Sequence, residues 1–232
     1  MRGWRKRNGA AMELTLHHAH AWDLTPQQAI QVQRELAGFV RVEPLARPPQ
    51  TIAGLDMSVR AEAVQAAIVV LALPSLVVID QAIWRGPVTW PYVPGLLSFR
   101  EAPAVLHALK QLHAMPDVLM ADAQGVAHPR RMGLAAHIGV LLDMPVLGVA
   151  KSRLTGVYVE PDDVAGAQSP LQDGDETIGA VLRTRVGVKP LFVSVGNRMT
   201  LAEAVALVFA TCTRYRMPEP TRLAHHLSRD QS

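Results

Sequence analysis

Between residues 26 and 40 apolar side chains recur at helical spacing, with Ile30, Leu36, Ala37 and Val40 on one side. Thr25-Pro26 supplies an N-cap and a first-turn proline. After a linker at 44–50 the period changes. Three apolar, strand-length runs occupy 51–58, 66–73 and 76–84, and the short Pro74-Ser75 link predicts a hairpin between the second and third. Helix and strand patterns then alternate. Residues 102–113 carry Val105, Leu106, Leu109 and Leu112 on one helical side, and 118–121 form a buried strand ending at Asp122. A helix is expected over 131–142 and a buried strand over 146–150, ending at Lys151. The stretch 161–176 is rich in Pro, Gly, Asp and Gln and is expected to be a surface loop. Short strands at 178–182 and 191–195, a helix capped by Thr200 and a last helix at 219–227 complete the pattern. A meander followed by alternation predicts an α/β fold, a mixed sheet with helices on both faces. One catalytic-sized domain spans 21–232. Residues 1–20 are expected to be a flexible basic arm in which His17, His18 and His20 form a surface cluster.

Composition adds limits. The chain has 232 residues, 49% of them hydrophobic, enough for a substantial core. No apolar run reaches the roughly 18 residues of a membrane span, and no apolar segment follows the basic start, so no secretory signal is expected. The single cysteine, Cys212, lies in an apolar helical run, which fits a buried thiol and a cytoplasmic location. The net charge of +3 is compatible with a polyanionic partner without assigning one.

The candidate chemistry lies where strands stop. Asp56 interrupts the apolar run Ile52-Ala53-Gly54-Leu55-Asp56, and Asp122 follows Val118-Leu119-Met120-Ala121. A charge there is costly unless it is paired or bound to a metal. Glu101 closes the segment Trp90-Pro91-Tyr92-Val93-Pro94-Gly95-Leu96-Leu97-Ser98-Phe99-Arg100-Glu101, which holds Tyr92 between two prolines on a stiff, non-helical loop. Taken singly, each has a plainer explanation: an Asx turn for Asp56, a helix-start acid for Glu101, a loop acid for Asp122, and a proline turn with Tyr92 covering the core. Taken together, three carboxylates delivered by separate elements suit Mg²⁺ or Mn²⁺. A rigid tyrosine loop also suits insertion into a base stack. His128, Arg130 and Arg131 stand at a helix start, where backbone N–H groups favour phosphate, and Lys151 stands at a strand end, where it could neutralise charge developing on one.

Several of these blocks together resemble the endonuclease V family. They are Ile52-Ala53-Gly54-Leu55-Asp56, Pro91-Tyr92-Val93-Pro94-Gly95, Phe99-Arg100-Glu101 and Asp122-Ala123-Gln124-Gly125. The blocks His128-Pro129-Arg130, Gly133-Leu134-Ala135-Ala136-His137, Gly148-Val149-Ala150-Lys151 and Pro218-Glu219-Pro220-Thr221-Arg222-Leu223-Ala224-His225 follow in order. The resemblance runs from about residue 22 to 229 and implies a ribonuclease H-like fold. It implies a Mg²⁺-dependent endonuclease of DNA repair (Mn²⁺ able to substitute), a monomer, acting on DNA that contains deoxyinosine. The expected cut is a phosphodiester on the 3′ side of the lesion, leaving 3′-hydroxyl and 5′-phosphate ends. By position, Asp56, Glu101 and Asp122 become metal ligands, Lys151 contacts the scissile phosphate and His225 helps hold the metal and its water. Pro91, Tyr92, Val93 and Pro94 form the strand-separating wedge. Gly95, Leu97, Ala123 and Leu134 line the pocket for the extruded base, and His128, Arg130 and Ser152 contact phosphate. Two alternatives stay open: an inosine-binding protein that cuts weakly, and an endoribonuclease specific for inosine in RNA. Two departures stand out, since the family usually has glycine at Ala123 and histidine at Asn197.

Overall fold

The computed structural model describes residues 12–60 and 62–230. Its order is α1 (Pro26–Ala37), β1 (Thr51–Arg60), β2 (Ala63–Ala72), β3 (Val78–Pro87), α2 (Leu97–Leu109), β4 (Val118–Ala121), α3 (Leu134–Leu142), β5 (Val146–Ala150), β6 (Gln168–Asp173), β7 (Glu176–Leu182), β8 (Leu191–Asn197), α4 (Leu201–Thr211) and α5 (Glu219–Arg229). Capping boxes fix two helix starts: Thr25 with Gln28 at α1, and Thr200 with Glu203 at α4.

The strands form one eight-stranded sheet, β3-β2-β1-β4-β5-β8-β7-β6. Its centre, β1-β4-β5, is parallel, and the outer pairs are antiparallel. Strand alternation divides the core into two layers. Ala53, Leu55, Leu119 and Ala121 face α2 and α3, whereas Ile52, Val118 and Met120 face α4 and α5. This is the expected mixed sheet covered on both faces.

Three expectations are corrected. The 161–176 stretch is not all loop, because β6 lies within it and pairs with β7. It was hidden because an edge strand tolerates polar residues and a proline; only Leu171 is buried, and Pro170 sits where an edge has no need of every N–H. Helix α2 begins at Leu97, so Glu101 lies inside it, not at its start. Helix α3 begins at Leu134, with residues 128–131 forming a turn closed by Arg131 N–H on the His128 carbonyl (2.8 Å). The arm expected over 1–20 lies outside the described residues up to 11. From residue 12 the chain is docked: Met12 N–H donates to the Lys110 carbonyl and His17 N–H to the Leu141 carbonyl, both at 2.7 Å, and Met12 and Leu14 pack on the core. No helix among the described residues is long and apolar enough to cross a membrane.

Candidate active site

Asp56 and Asp122 come together because their strands do. Leu55 lies opposite Ala121 in the parallel β1-β4 pair, and the Asp122 N–H donates to the Leu55 carbonyl at 3.1 Å. Leu55 and Ala121 face α2 and α3, so the next residue on each strand turns to the α5 side. Gly54 lets α5 approach β1 closely: a Cβ there would lie 2.0 Å from the Pro220 carbonyl group. With α5 seated this way, His225 Nδ1 lies 3.2 Å from Asp56 Oδ2, and the Ser228 hydroxyl donates to the same oxygen at 2.6 Å. Three residues apart, His225 and Ser228 share one helical face. Lys151, just past β5, donates to Asp122 Oδ2, and Arg216 braces it by donating to its carbonyl at 3.0 Å.

Asp56, Asp122 and His225 each offer an atom within 4.8 Å of the others'. Glu101 is not in this tight group, which joins two acids and an imidazole, with Glu101 beside them. The reason is that Glu101 rides on α2, against the opposite face from α5. It is still close enough to sense both acids: burial first, then the Asp56 charge, with Asp122 adding, pushes its carboxyl up to about 8, against the opposing pull of Arg100. Burial also raises Asp122, which Lys151 opposes. Carboxylates crowded where β4 ends beside the middle of β1, with an imidazole beside them, form a donor set that a hard divalent cation would relieve.

Next to this cluster, reached through Ala123 beside Asp122, lies a pocket of about 220 Å³ whose lining includes Tyr92, Gly95, Leu97, Ser98, Ala123 and Leu134. Ser152 also belongs to its lining. All four residues expected at a base pocket therefore share one cavity. Pro91 and Pro94 are exposed, and Tyr92 is 67% exposed, so it does not cover the core. The loop is anchored below its tip. Trp90 is buried and its indole N–H donates to the Trp22 carbonyl at 2.9 Å. Gly95 adopts φ +77°, a conformation that suits glycine, and its carbonyl accepts from Gln33 Nε2 (3.0 Å), His128 Nε2 (3.1 Å) and Arg130 Nη2 (2.7 Å).

These bonds give His128 and Arg130, expected to contact phosphate, partners within the protein. The Arg130 N–H donates to His128 Nδ1 (3.1 Å), so the ring proton is on Nε2 and points at Gly95. Burial, with Arg130 adding, lowers His128 to about 4, so it is neutral. The Arg130 guanidinium donates to the Gly95 carbonyl and to Gln33 Oε1 (2.6 Å). Both side chains hold the proline loop in place. Sequence reasoning missed Gln33 and Ser228. Ser228 had one signal, its three-residue spacing from His225; Gln33 had none, because its target is a backbone carbonyl far along the chain. Among the described residues, Arg100 Nε and Gln124 Oε1 are buried without a hydrogen-bond partner, and they adjoin Glu101 and Ala123 in sequence.

The family profile described as Endonuclease V matches residues 34–226. The chain belongs to the endonuclease V family. Endonuclease V of Roseiflexus sp. (strain RS-1) is 48% identical over 207 residues, 89% of this chain and 93% of that protein. The crystal structure of endonuclease V from Streptomyces avermitilis aligns with a TM-score of 0.86 at 45% identity, covering 90% of this chain and 93% of that one. A Ciona intestinalis endonuclease V in complex with a 24mer DNA containing an inosine followed by a ribo-adenosine aligns with a TM-score of 0.74 at 25% identity, covering 88% and 95%. The endonuclease V likeness makes the sheet described above ribonuclease H-like. Within it, the two departures have plain structural settings. Ala123 has no positive φ, so its methyl narrows the pocket without straining the backbone. Asn197 is a buried tie: its Oδ1 accepts from the Arg41 N–H (2.8 Å) and its Nδ2 donates to the Gly139 carbonyl (2.9 Å).

Proposed function

We propose that this endonuclease V family member hydrolyses DNA next to deaminated adenine, extruding the hypoxanthine of deoxyinosine and cutting a phosphodiester on its 3′ side to leave 3′-hydroxyl and 5′-phosphate ends. The observation that carries the reading is adjacency. Asp122, in the cation-fitting cluster, is followed in the chain by Ala123 and Gln124, which line the pocket. A base seated there places its backbone phosphates beside the acids. The inosine-containing DNA of the Ciona complex supports the choice of base.

In this reading Asp56, Asp122 and His225, with Glu101 alongside, would hold Mg²⁺ or Mn²⁺. Bound there, the cation supplies Lewis acidity at the scissile phosphate and makes water a stronger nucleophile. Ser228 and His225 keep the Asp56 carboxylate aimed. Lys151 moves from Asp122 to the phosphate oxygens, where its charge offsets the charge that builds up during attack. Tyr92 fills the gap the extruded base leaves, and the Gln33-His128-Arg130 bracket keeps its loop stiff.

The test is to map the cut on a strand carrying one inosine, first with Mg²⁺ and then with EDTA. One Mg²⁺-dependent break on the 3′ side, absent from the matching adenine strand, is expected. Binding without cutting at any Mg²⁺ or Mn²⁺ concentration would favour the inosine-binding alternative instead.

A further inference from the structure

One wall of the pocket is attached to a buried hydrogen-bond chain that the proposed reaction does not use. Ser98 lines the pocket, is 2% exposed, and its Oγ lies 2.9 Å from His137 Nδ1. His137 is fully buried, with Trp22 stacked on its ring and Phe99 at its edge. Its other nitrogen, Nε2, lies 2.7 Å from Nε2 of His20, whose Nδ1 in turn lies 2.7 Å from the Ala21 carbonyl oxygen.

With both imidazoles neutral, the protons in this chain have only one consistent placement. A carbonyl only accepts, so His20 Nδ1 carries the hydrogen and its Nε2 carries a lone pair. His137 Nε2 must then be the donor, which leaves a lone pair on His137 Nδ1. The Ser98 hydroxyl hydrogen is therefore committed to His137, and Ser98 Oγ keeps only lone pairs for any other partner. Burial, with His20 adding, lowers His137 to about 3, which keeps its ring neutral.

We propose that Ser98 is a specificity-determining residue: a hydrogen-bond acceptor of fixed polarity, set by the His20–His137 relay, that takes the ring N–H of a lactam base. The inference rests on the endonuclease reading above. Hypoxanthine carries a hydrogen on the ring nitrogen beside its carbonyl. Adenine and unsubstituted purine carry a lone pair on that nitrogen, which Ser98 would repel. A site that must hydrogen-bond its ligand rejects an analogue lacking the hydrogen more strongly than a merely apolar pocket can.

The experiment measures equilibrium binding, in EDTA, of otherwise identical strands carrying hypoxanthine, adenine or unsubstituted purine. Wild type is expected to prefer hypoxanthine. Ser98→Ala is expected to weaken hypoxanthine binding about tenfold while leaving the other two strands within about twofold. His20→Phe keeps an aromatic ring beside Trp22 but removes the lone pair that orients His137. With the Ser98 hydroxyl intact but free to turn, the hypoxanthine preference should still shrink severalfold. A wild-type protein without preference would sink the proposed function itself. A preferring wild type whose ratios survive both substitutions would overturn the role of Ser98 and leave that function standing. Melting curves of both variants confirm that the folded protein is being measured.

Discussion

Two aspartates stand where an apolar strand would otherwise carry a hydrophobic residue, and that misfit is what makes them visible. Asp56→Ala or Asp122→Ala should reduce cutting of an inosine strand by about a thousandfold or more, in line with losing a charge-stabilising group, while inosine binding persists; single-turnover cleavage beside a binding titration checks both. Ala123 is a subtler case. Since its backbone is unstrained, Ala123→Gly gains no relief; it should cost about 0.4–1 kcal/mol of stability and widen the pocket, lowering the preference for inosine over adenine. An unchanged preference would remove Ala123 from the list of selective groups. The acids, Lys151 and the proline loop could be read from the chain because each breaks a local pattern. The hold of His128 and Arg130 on the Gly95 carbonyl could not be read, because a basic residue near a helix start has the same signature whatever it meets across the fold. Ser228 was missed for a related reason: beyond its spacing from His225, a serine in a polar helix gains meaning only from the carboxylate it meets across the fold.

The periodic helices and the apolar strands were legible because burial enforces their spacing. Strand β6 was not, because it is the last strand of the sheet and buries only one of its side chains, Leu171. The seat of α5 on β1 was equally hidden, although a glycine within an apolar strand is a known sign of close backbone approach. That seat carries a clear expectation. Gly54→Ala puts a methyl against the Pro220 carbonyl, so α5 must shift, at a cost of about 1–3 kcal/mol, and His225 and Ser228 lose Asp56. Cutting should fall far more than the melting temperature suggests. The proline loop predicts the opposite split. Tyr92→Ala, at an exposed tip, should leave stability within about 0.5 kcal/mol yet weaken binding to inosine in duplex DNA by about tenfold or more. Single-stranded inosine should be less affected, because no stack has to be opened.

Two buried histidines tie the integrity of the entire chain to pH. His128 and His137 are lowered from 6.5 to about 4 and about 3, in both cases mainly by burial. Below pH 6.5 the unfolded chain takes up protons that the folded one refuses, so their contribution is fully present above that pH and is lost as pH falls toward 4. Thermal melts from pH 7.5 down to 4.5 should show stability declining by on the order of 1 kcal/mol per pH unit for each histidine, and His137→Gln should have a visibly shallower slope. The central claim is that one β1-β4 junction, closed by α5 and approached by α2, holds the cation that cuts beside the pocket. Anomalous diffraction from a Mn²⁺-loaded crystal tests this most directly. A single strong site bonded to Asp56 and Asp122, with His225 or Glu101 completing the set, is the predicted result. A protein that cuts inosine DNA while its manganese binds elsewhere would contradict it.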